Sequence, residues 1–128
     1  MKKLIILLFF FNLSNLYSSD IKFEKIFDDL NKPWSLSFID KENVIITEKA
    51  GKLITLNLKN KNINKIQHNL SLISLGQGGL LDVIYHNKKV YISYSENRGD
   101  WKTSTSVAKG TFNKEKINFK NIFRDEPP

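Results

Sequence analysis

Residues 44–47 read Val-Ile-Ile-Thr and residues 90–93 read Val-Tyr-Ile-Ser, and these two short runs decide the fold. Both are rich in β-branched and aromatic side chains and are bounded by polar turn residues, which predicts two strands of the same kind. The two runs lie 46 residues apart, and at the same spacing Phe38 falls on Ile84. A unit that repeats at this interval is typical of β-propeller blades, which have about 40–50 residues each.

Strand patterns surround each of these runs. Apolar residues alternate with polar ones and do not recur at helical spacing, so no helix is predicted from Asp20 onward. The predicted strands cover residues 34–38, 44–47, 53–58 and 64–67, and then 80–85, 90–94, 106–112 and 117–123. The predicted fold class is all-β, with about two four-stranded antiparallel blades of a propeller. A β-sandwich with regularly spaced turns is the alternative.

The number of blades bears on the extent of the domain. A propeller closes with about 4–8 blades, whereas residues 20–128 have room for two. An open pair of blades would expose unpaired strand edges. We therefore expect residues 20–128 to be the incomplete N-terminal part of a propeller in a longer protein.

Residues 1–19 have the pattern of a signal peptide. Lys2 and Lys3 precede a continuous apolar run over residues 4–11, and small and polar residues follow. The run is too short to span a bilayer, so we expect a cleaved export signal and no stable membrane insertion afterwards. An uncleaved anchor and a buried strand are the alternatives. The expected location of the mature protein is periplasmic or secreted.

Composition excludes several classes of site. The chain has no cysteine, so disulfides, thiolate metal sites and cysteine nucleophiles are excluded.

Its net charge of +7 is carried mostly by lysine, and Arg98 and Arg124 are its arginines. Duplex binders favour arginine forks, and single-strand binders place aromatic rings on their basic face. Because the aromatic residues here lie within apolar strand patterns, we expect no nucleic-acid partner. No acidic group has metal-loop spacing, so no metal ligand is assigned.

Residues 76–83, Gly-Gln-Gly-Gly-Leu-Leu-Asp-Val, carry the clearest functional signal. Glycine permits positive φ angles and the close approach of another group. Three glycines surround Gln77, whose amide can both donate and accept hydrogen bonds. The sequence therefore predicts that Gln77 binds a ligand; an amide that satisfies backbone groups of its own loop is the alternative. A phosphate loop is excluded, because the Lys-Ser/Thr pair and the helix that must follow are missing.

Several of these motifs together resemble the start of the soluble glucose/sorbosone dehydrogenases, and most closely the aldose sugar dehydrogenase branch. Each motif alone is weak, but their order and spacing are specific, and the resemblance covers residues from about 27 to 128. The motifs lie at residues 32–38 (Lys-Pro-Trp-Ser-Leu-Ser-Phe), 47–53, 76–83, 90–95 and 122–128.

The resemblance implies a periplasmic six-bladed propeller that uses pyrroloquinoline quinone (PQQ) and calcium. Such an enzyme oxidises the anomeric carbon of an aldose sugar to the lactone. The resemblance places Gln77 at the pocket for cofactor and substrate, so Gln77 is the predicted cofactor-binding residue. It leaves the electron acceptor undefined.

The resemblance assigns no catalytic residue within this chain. The catalytic histidine of the family and most ligands of the quinone and calcium would lie beyond Pro128, so this chain alone is expected to be inactive. His68 is expected to face solvent in a polar connector, and His86 to end a strand without acting as the base. A non-catalytic secreted propeller that binds a sugar or an envelope protein is the alternative function.

Overall fold

The computed structural model of the protein describes residues 21–126, so the predicted signal peptide lies outside the described residues. Within this range the chain forms nine strands and their connections. No helix among these residues is long and apolar enough to cross a membrane. The strands are β1 (Pro33–Phe38), β2 (Asn43–Glu48), β3 (Lys52–Asn57), β4 (Ile63–His68), β5 (Leu80–His86), β6 (Lys89–Asn97), β7 (Thr103–Thr111), β8 (Lys116–Ile117) and β9 (Lys120–Arg124).

The strands form two sheets, which correspond to the two predicted blades. The first sheet has the order β1-β2-β3-β4-β8 and the second has the order β5-β6-β7-β9. Strands β1 to β4 and the strands of the second sheet pair antiparallel. The prediction of an all-β fold with about two propeller blades is confirmed. The first sheet also gains a fifth strand, because β8 pairs parallel to β4.

The prediction of one strand over residues 117–123 was wrong, because the chain passes from one sheet to the other within this range. Lys116 and Ile117 pair with β4, whereas residues 120–124 pair with β7. Between them, the side chain of Asn69 accepts a hydrogen bond from the Phe119 N–H at 2.7 Å and donates to its carbonyl at 3.1 Å. Both backbone groups of Phe119 are thus bound to a side chain, which takes this residue out of either ladder.

The crossing also depends on Gly110. Its Cα lies so close to Ile117 that a Cβ at position 110 would overlap the Ile117 side chain. Ile117 and the ring of Phe119 are both buried. The segment that crosses from the second blade to the first is therefore fixed by close packing as well as by hydrogen bonds.

Side chains on both faces of β2 and β3 are buried. One face faces the second blade and contributes Ile45 and Leu53 to a cluster with Val90 and Ile92. The opposite face forms a second cluster, which the N-terminal segment partly covers. That cluster consists of Val44, Ile46, Ile54 and Leu56, with Phe27, Leu30 and Leu58 packed against it.

Hydroxyl groups of the first blade bind the open edge of β5. The Ser37 hydroxyl accepts a hydrogen bond from the Tyr85 N–H at 2.9 Å, and Thr47 donates to the Leu81 carbonyl at 2.7 Å. These bonds satisfy backbone groups that face away from β6. Because an unpaired buried backbone group is costly, they fix how the two blades meet.

We expect Ser37→Ala to lower the free energy of unfolding by about 1–2 kcal/mol, because the Tyr85 N–H loses its acceptor. The matched control is Ser71→Ala, since Ser71 is exposed and its hydroxyl bonds to no other described residue. Urea unfolding of both variants measures the difference. Equal stability of the two variants would show that this bond does not hold the blades together.

Candidate functional site

The glycine loop over residues 76–79 is held between the turn after β2 and the end of β6. Leu80 N–H donates to the Lys49 carbonyl at 3.1 Å, and Ser95 N–H donates to the Gly79 carbonyl at 2.9 Å. The Lys49 ammonium group donates to the carbonyl of Gly76. Elements from both blades therefore fix the loop, so its position depends on the interface between them.

The glycines of this loop have different physical roles. Gly79 has a φ of 140° and lies so close to Lys49 that a Cβ would overlap the Lys49 carbonyl oxygen. At Gly78, a Cβ would come within 2.9 Å of the Ser95 hydroxyl. Gly76 has a φ of 52° but open space around it. Position 79 thus requires glycine because the Lys49 backbone lies so close, and position 76 favours glycine because of its left-handed turn conformation.

Gln77 lies at the exposed tip of this loop. Within residues 21–126 its side chain makes no hydrogen bond, so the amide does not satisfy the backbone of its own loop. The Lys49 ammonium group is bound one residue away, at the carbonyl of Gly76. An amide and a cation therefore lie close together, where they could bind an anionic or oxygen-rich ligand. The role of Gln77 as a cofactor-binding residue stays a prediction.

The two carboxylates near the loop are already bound to protein groups. Glu48 is buried at 2% exposure, and its Oε1 accepts the Asn31 N–H at 2.9 Å. Asp82 is exposed, and it accepts hydrogen bonds from the Ser35 hydroxyl and from its neighbouring backbone N–H. Asp82 is thus in contact with solvent, whereas Glu48 is buried at the end of β2. In the described range no group of three or more histidine, aspartate or glutamate residues could hold a metal.

The structure places His68 differently from the expectation. His68 is the half-buried last residue of β4, not a solvent-facing residue in a connector. Its Nε2 donates to the Gly51 carbonyl at 2.7 Å, and its Nδ1 accepts the Leu70 N–H at 3.3 Å. Both ring nitrogens are therefore bound to backbone. His86 is exposed at the end of β5, beside the Asn87 amide at 2.9 Å.

A buried charged group at Glu96 was missed by sequence reasoning. Its carboxylate accepts hydrogen bonds from Ser106 at 2.6 Å and from Asn121 at 3.0 Å. It also pairs with Arg124 at 2.9 Å and with Arg98 at 3.2 Å. Both arginines of the chain thus bind one carboxylate. The signal was present in the sequence, because Glu96 continues the buried alternation of Val90, Ile92 and Tyr94.

The surroundings of Glu96 set its charge. Burial acts to raise the pKa of the carboxyl, but the Ser106 hydrogen bond and the guanidinium groups outweigh burial and hold the pKa below 4.5, its ordinary value. Glu96 is therefore ionised at neutral pH. Beside it, the Ile73 N–H donates to the Ser95 carbonyl at 3.1 Å. The backbones of Leu72 and Glu96 form an isolated antiparallel β-bridge. The charged cluster thus lies where the connector to the glycine loop is attached.

Known proteins resemble this chain in sequence and in fold. The family described as Glucose / Sorbosone dehydrogenase matches residues 30–128. The chain belongs to this family. The resemblance stated from the sequence motifs is therefore confirmed.

Related proteins support the same family. The chain is 29% identical over 116 residues to Aldose sugar dehydrogenase YliI of Escherichia coli (strain K12). This match covers 84% of this chain and 31% of that protein. The fold is similar to a crystal structure of glucose dehydrogenase, with a TM-score of 0.75 and 30% identity, over 81% of this chain and 33% of that one. It is also similar to the apo form of the soluble aldose sugar dehydrogenase from Escherichia coli, with a TM-score of 0.73 and 30% identity over the same shares of the two chains.

A more distant structure shows the fold alone. It is the PQQ-bound form of the aldose sugar dehydrogenase from Streptomyces coelicolor, with a TM-score of 0.70 and 15% identity, over 81% of this chain and 33% of that one. In each of these comparisons the chain spans about a third of the length of its relative.

We expect Gly79→Ala to destabilise the protein by about 3 kcal/mol, because the added methyl group overlaps the Lys49 carbonyl. Gly76→Ala is the matched control, and we expect it to cost about 1 kcal/mol, the cost of a left-handed conformation alone. Denaturant unfolding of both variants checks this order. The reverse order would contradict the close packing of Gly79.

We expect Glu96→Gln to cost about 2–3 kcal/mol at pH 7, because it removes a charged hydrogen-bond partner from two arginines and Ser106. The folded-state pKa of Glu96 is lowered, so its stabilising contribution is present above pH 4.5 and is lost as pH falls through the folded pKa. The stability gap between wild type and variant should therefore shrink in acid.

Unfolding measured from pH 7 down to about pH 3 tests this dependence. The control is Glu115→Gln, at an exposed carboxyl that pairs with no other described residue. A gap for Glu96→Gln that stays constant over this range would contradict the assigned charge state.

Proposed function

We propose that these residues belong to a periplasmic PQQ-dependent dehydrogenase that oxidises the anomeric carbon of an aldose sugar to the lactone. The observation that carries the proposal is the unbonded amide of Gln77, presented by a loop that both blades fix in place. Membership of the glucose/sorbosone dehydrogenase family supports the reaction class. Similarity to an aldose sugar dehydrogenase supports a sugar substrate. The periplasmic location rests on the signal-peptide pattern of residues 1–19.

Gln77 has the chemistry to orient oxygen-rich ligands. Its NH₂ group can donate to an oxygen of the quinone or of the sugar, and it carries no charge that would perturb the redox couple. The ammonium group of Lys49 adds a positive charge beside the same loop. Bound PQQ would supply the two-electron acceptor for the hydride that leaves the anomeric carbon.

Proton removal and calcium binding are not assigned to the described residues. The hydroxyl proton must go to a base, and both ring nitrogens of His68 are bound to backbone while His86 lies on an exposed hairpin. Over residues 21–126 no group of acidic or histidine side chains offers a ligand set for calcium. These residues thus fit one wall of a quinone pocket, whose base and metal ligands would come from other residues.

A second candidate is a non-catalytic secreted propeller that binds a sugar or an envelope protein. The unbonded amide of Gln77 fits this candidate as well. In that case Gln77 would bind a ligand without redox chemistry. Propellers host many functions, so the site decides between the candidates.

We expect Gln77→Ala to lower dye reduction by the full-length protein by about tenfold to a hundredfold, because one hydrogen-bond donor to the ligand is lost. The assay contains an aldose, PQQ and calcium, and dye reduction should require added PQQ. Since the side chain is unbonded, the free energy of unfolding should not change. Gln67→Ala, at an exposed glutamine on β4, is the matched control and should keep full activity.

Full activity of Gln77→Ala would show that the Gln77 side chain does not bind the cofactor or the substrate. Wild-type protein that binds the aldose but reduces no dye would favour the non-catalytic candidate.

A further inference from the structure

A cavity lies at the opposite end of the β2–β3 hairpin from the glycine loop. The glycine loop contacts Lys49, which follows the end of β2, whereas this cavity is lined by Asn43 at the start of β2 and Asn57 at the end of β3. Phe112 and Lys114, on the segment that crosses between the blades, form its other wall. Its volume is about 250 Å³.

The cavity is unusually rich in asparagine amides. Two of them are rigid, because Asn57 donates to the Asn43 side-chain oxygen at 3.0 Å and its own oxygen accepts the Asn60 N–H at 2.9 Å. Other amides keep unused hydrogen-bonding groups within the described part of the chain. Those lining residues are Asn60, Asn62 and Asn64.

The unused groups include both donors and acceptors. The Asn60 oxygen accepts the Asn62 N–H at 3.0 Å, which leaves the Asn60 NH₂ group as a donor. Asn64 donates to the Lys114 carbonyl, which leaves the Asn64 oxygen as an acceptor. The Asn62 side chain bonds to no other residue that the structure describes. Such mixed amide groups match the paired hydroxyls of a sugar ring, each of which both donates and accepts.

The charges at the cavity balance. Asp40 accepts hydrogen bonds from the Glu42 N–H at 2.8 Å, from the Asn43 side-chain amide at 2.9 Å and from the Asn43 N–H at 2.9 Å. These hydrogen bonds, with a smaller contribution from the charge of Lys114, hold the pKa of Asp40 below its ordinary value. Asp40 is therefore an ionised carboxylate committed to its own turn, and Lys114 offsets its charge. The cavity thus favours neither a metal ion nor an anion.

An apolar wall completes the cavity. The half-buried ring of Phe112 packs edge-on against Tyr85, with ring centroids 5.5 Å apart, and Ile39 and Ile63 line the same space. A sugar ring has C–H groups on its faces, which can pack against such a wall while its hydroxyls bond to amides.

We propose that this cavity binds one ring of a neutral carbohydrate. A volume of about 250 Å³ lies just below the range of about 300–1,000 Å³ that holds drug-sized ligands, which suits a single ring. The cavity lies at the far end of the strands from Gln77, so the inference does not depend on the proposed redox reaction. A free monosaccharide and the end of a glycan both present such a ring and share this chemistry.

The test is an NMR titration of the full-length protein without PQQ or calcium. The probe is methyl α-D-glucopyranoside, whose anomeric carbon is blocked against oxidation, and maltotriose is titrated in parallel to represent a glycan end. We expect saturable shifts at the amides of Asn60, Asn62 and Asn64, with a dissociation constant of about 1–10 mM. Tighter binding of maltotriose would identify a glycan as the source, and equal binding a free sugar.

Asn62→Ala is the decisive variant, because it removes an unbonded side chain and keeps the backbone carbonyl that accepts the Asn57 N–H. We expect it to weaken binding at least about fivefold, as expected for one lost hydrogen bond. Asn31→Ala, an exposed asparagine before β1, is the matched control and should bind as wild type does. Superposable backbone spectra of the two variants would show that folding is unchanged.

Three results would overturn the inference. These are unchanged binding by Asn62→Ala, shifts confined to the Gln77 loop, and tighter binding of glucuronate or inorganic phosphate than of the neutral glycoside. Because no cofactor is present, this outcome is separate from that of the dye-reduction assay.

Discussion

The contact between Gly79 and the Lys49 carbonyl determines how the two blades hold the glycine loop between them. Leu80 donates to that carbonyl, and only a residue without a Cβ can precede Leu80 at this distance. The contact starts β5 directly beside the end of β2. From there the Ser37 and Thr47 hydroxyls can reach the backbone of β5. The tip of the loop, with Gln77, is therefore positioned by a backbone contact between the blades, together with the hydrogen bond from the Gly78 N–H to the Leu75 carbonyl at 2.7 Å.

The buried charge at Glu96 supports the same loop from the other side. A carboxylate at 8% exposure is costly unless it is paired, and here two guanidinium groups and two neutral donors bind it. The cluster joins the end of β6 to β7 and β9, and β6 in turn holds the connector through Ser95. If one partner moved away, a charged group would stay buried without a counter-charge. The cluster therefore favours a single arrangement of β6, β7 and β9 at this point. That rigidity fits the proposed role of Gln77, because a binding amide has to be held at a fixed position.

Local sequence patterns predicted most of the strands, because these are bounded by turn residues. The prediction was too short for β6, which extends to Asn97, and too late for β7, which begins at Thr103. They did not predict that residues 117–123 divide between two sheets. That division depends on Asn69 binding the backbone of Phe119, 50 residues away, and on the bare Cα of Gly110. His68 was misplaced for a similar reason, since its ring bonds to the Gly51 carbonyl and β4 extends to reach it. In the site, the glycine spacing predicted the exposed loop, but the partner that requires Gly79 lies in another strand pair.

The continuous apolar run in β2 has its explanation in the blade arrangement. A sheet with one wet face alternates apolar and polar residues, whereas a strand buried on both faces does not need to. Ile45 faces the second blade, while Val44 and Ile46 face the opposite side, under Phe27 and Leu30. In the second blade Ile92 faces the first blade, whereas Ile84, on the other face, is 54% exposed. Because the second blade meets β2 and β3 through this shared core, a change in the core between the two blades would alter the position of Gln77 without touching the glycine loop.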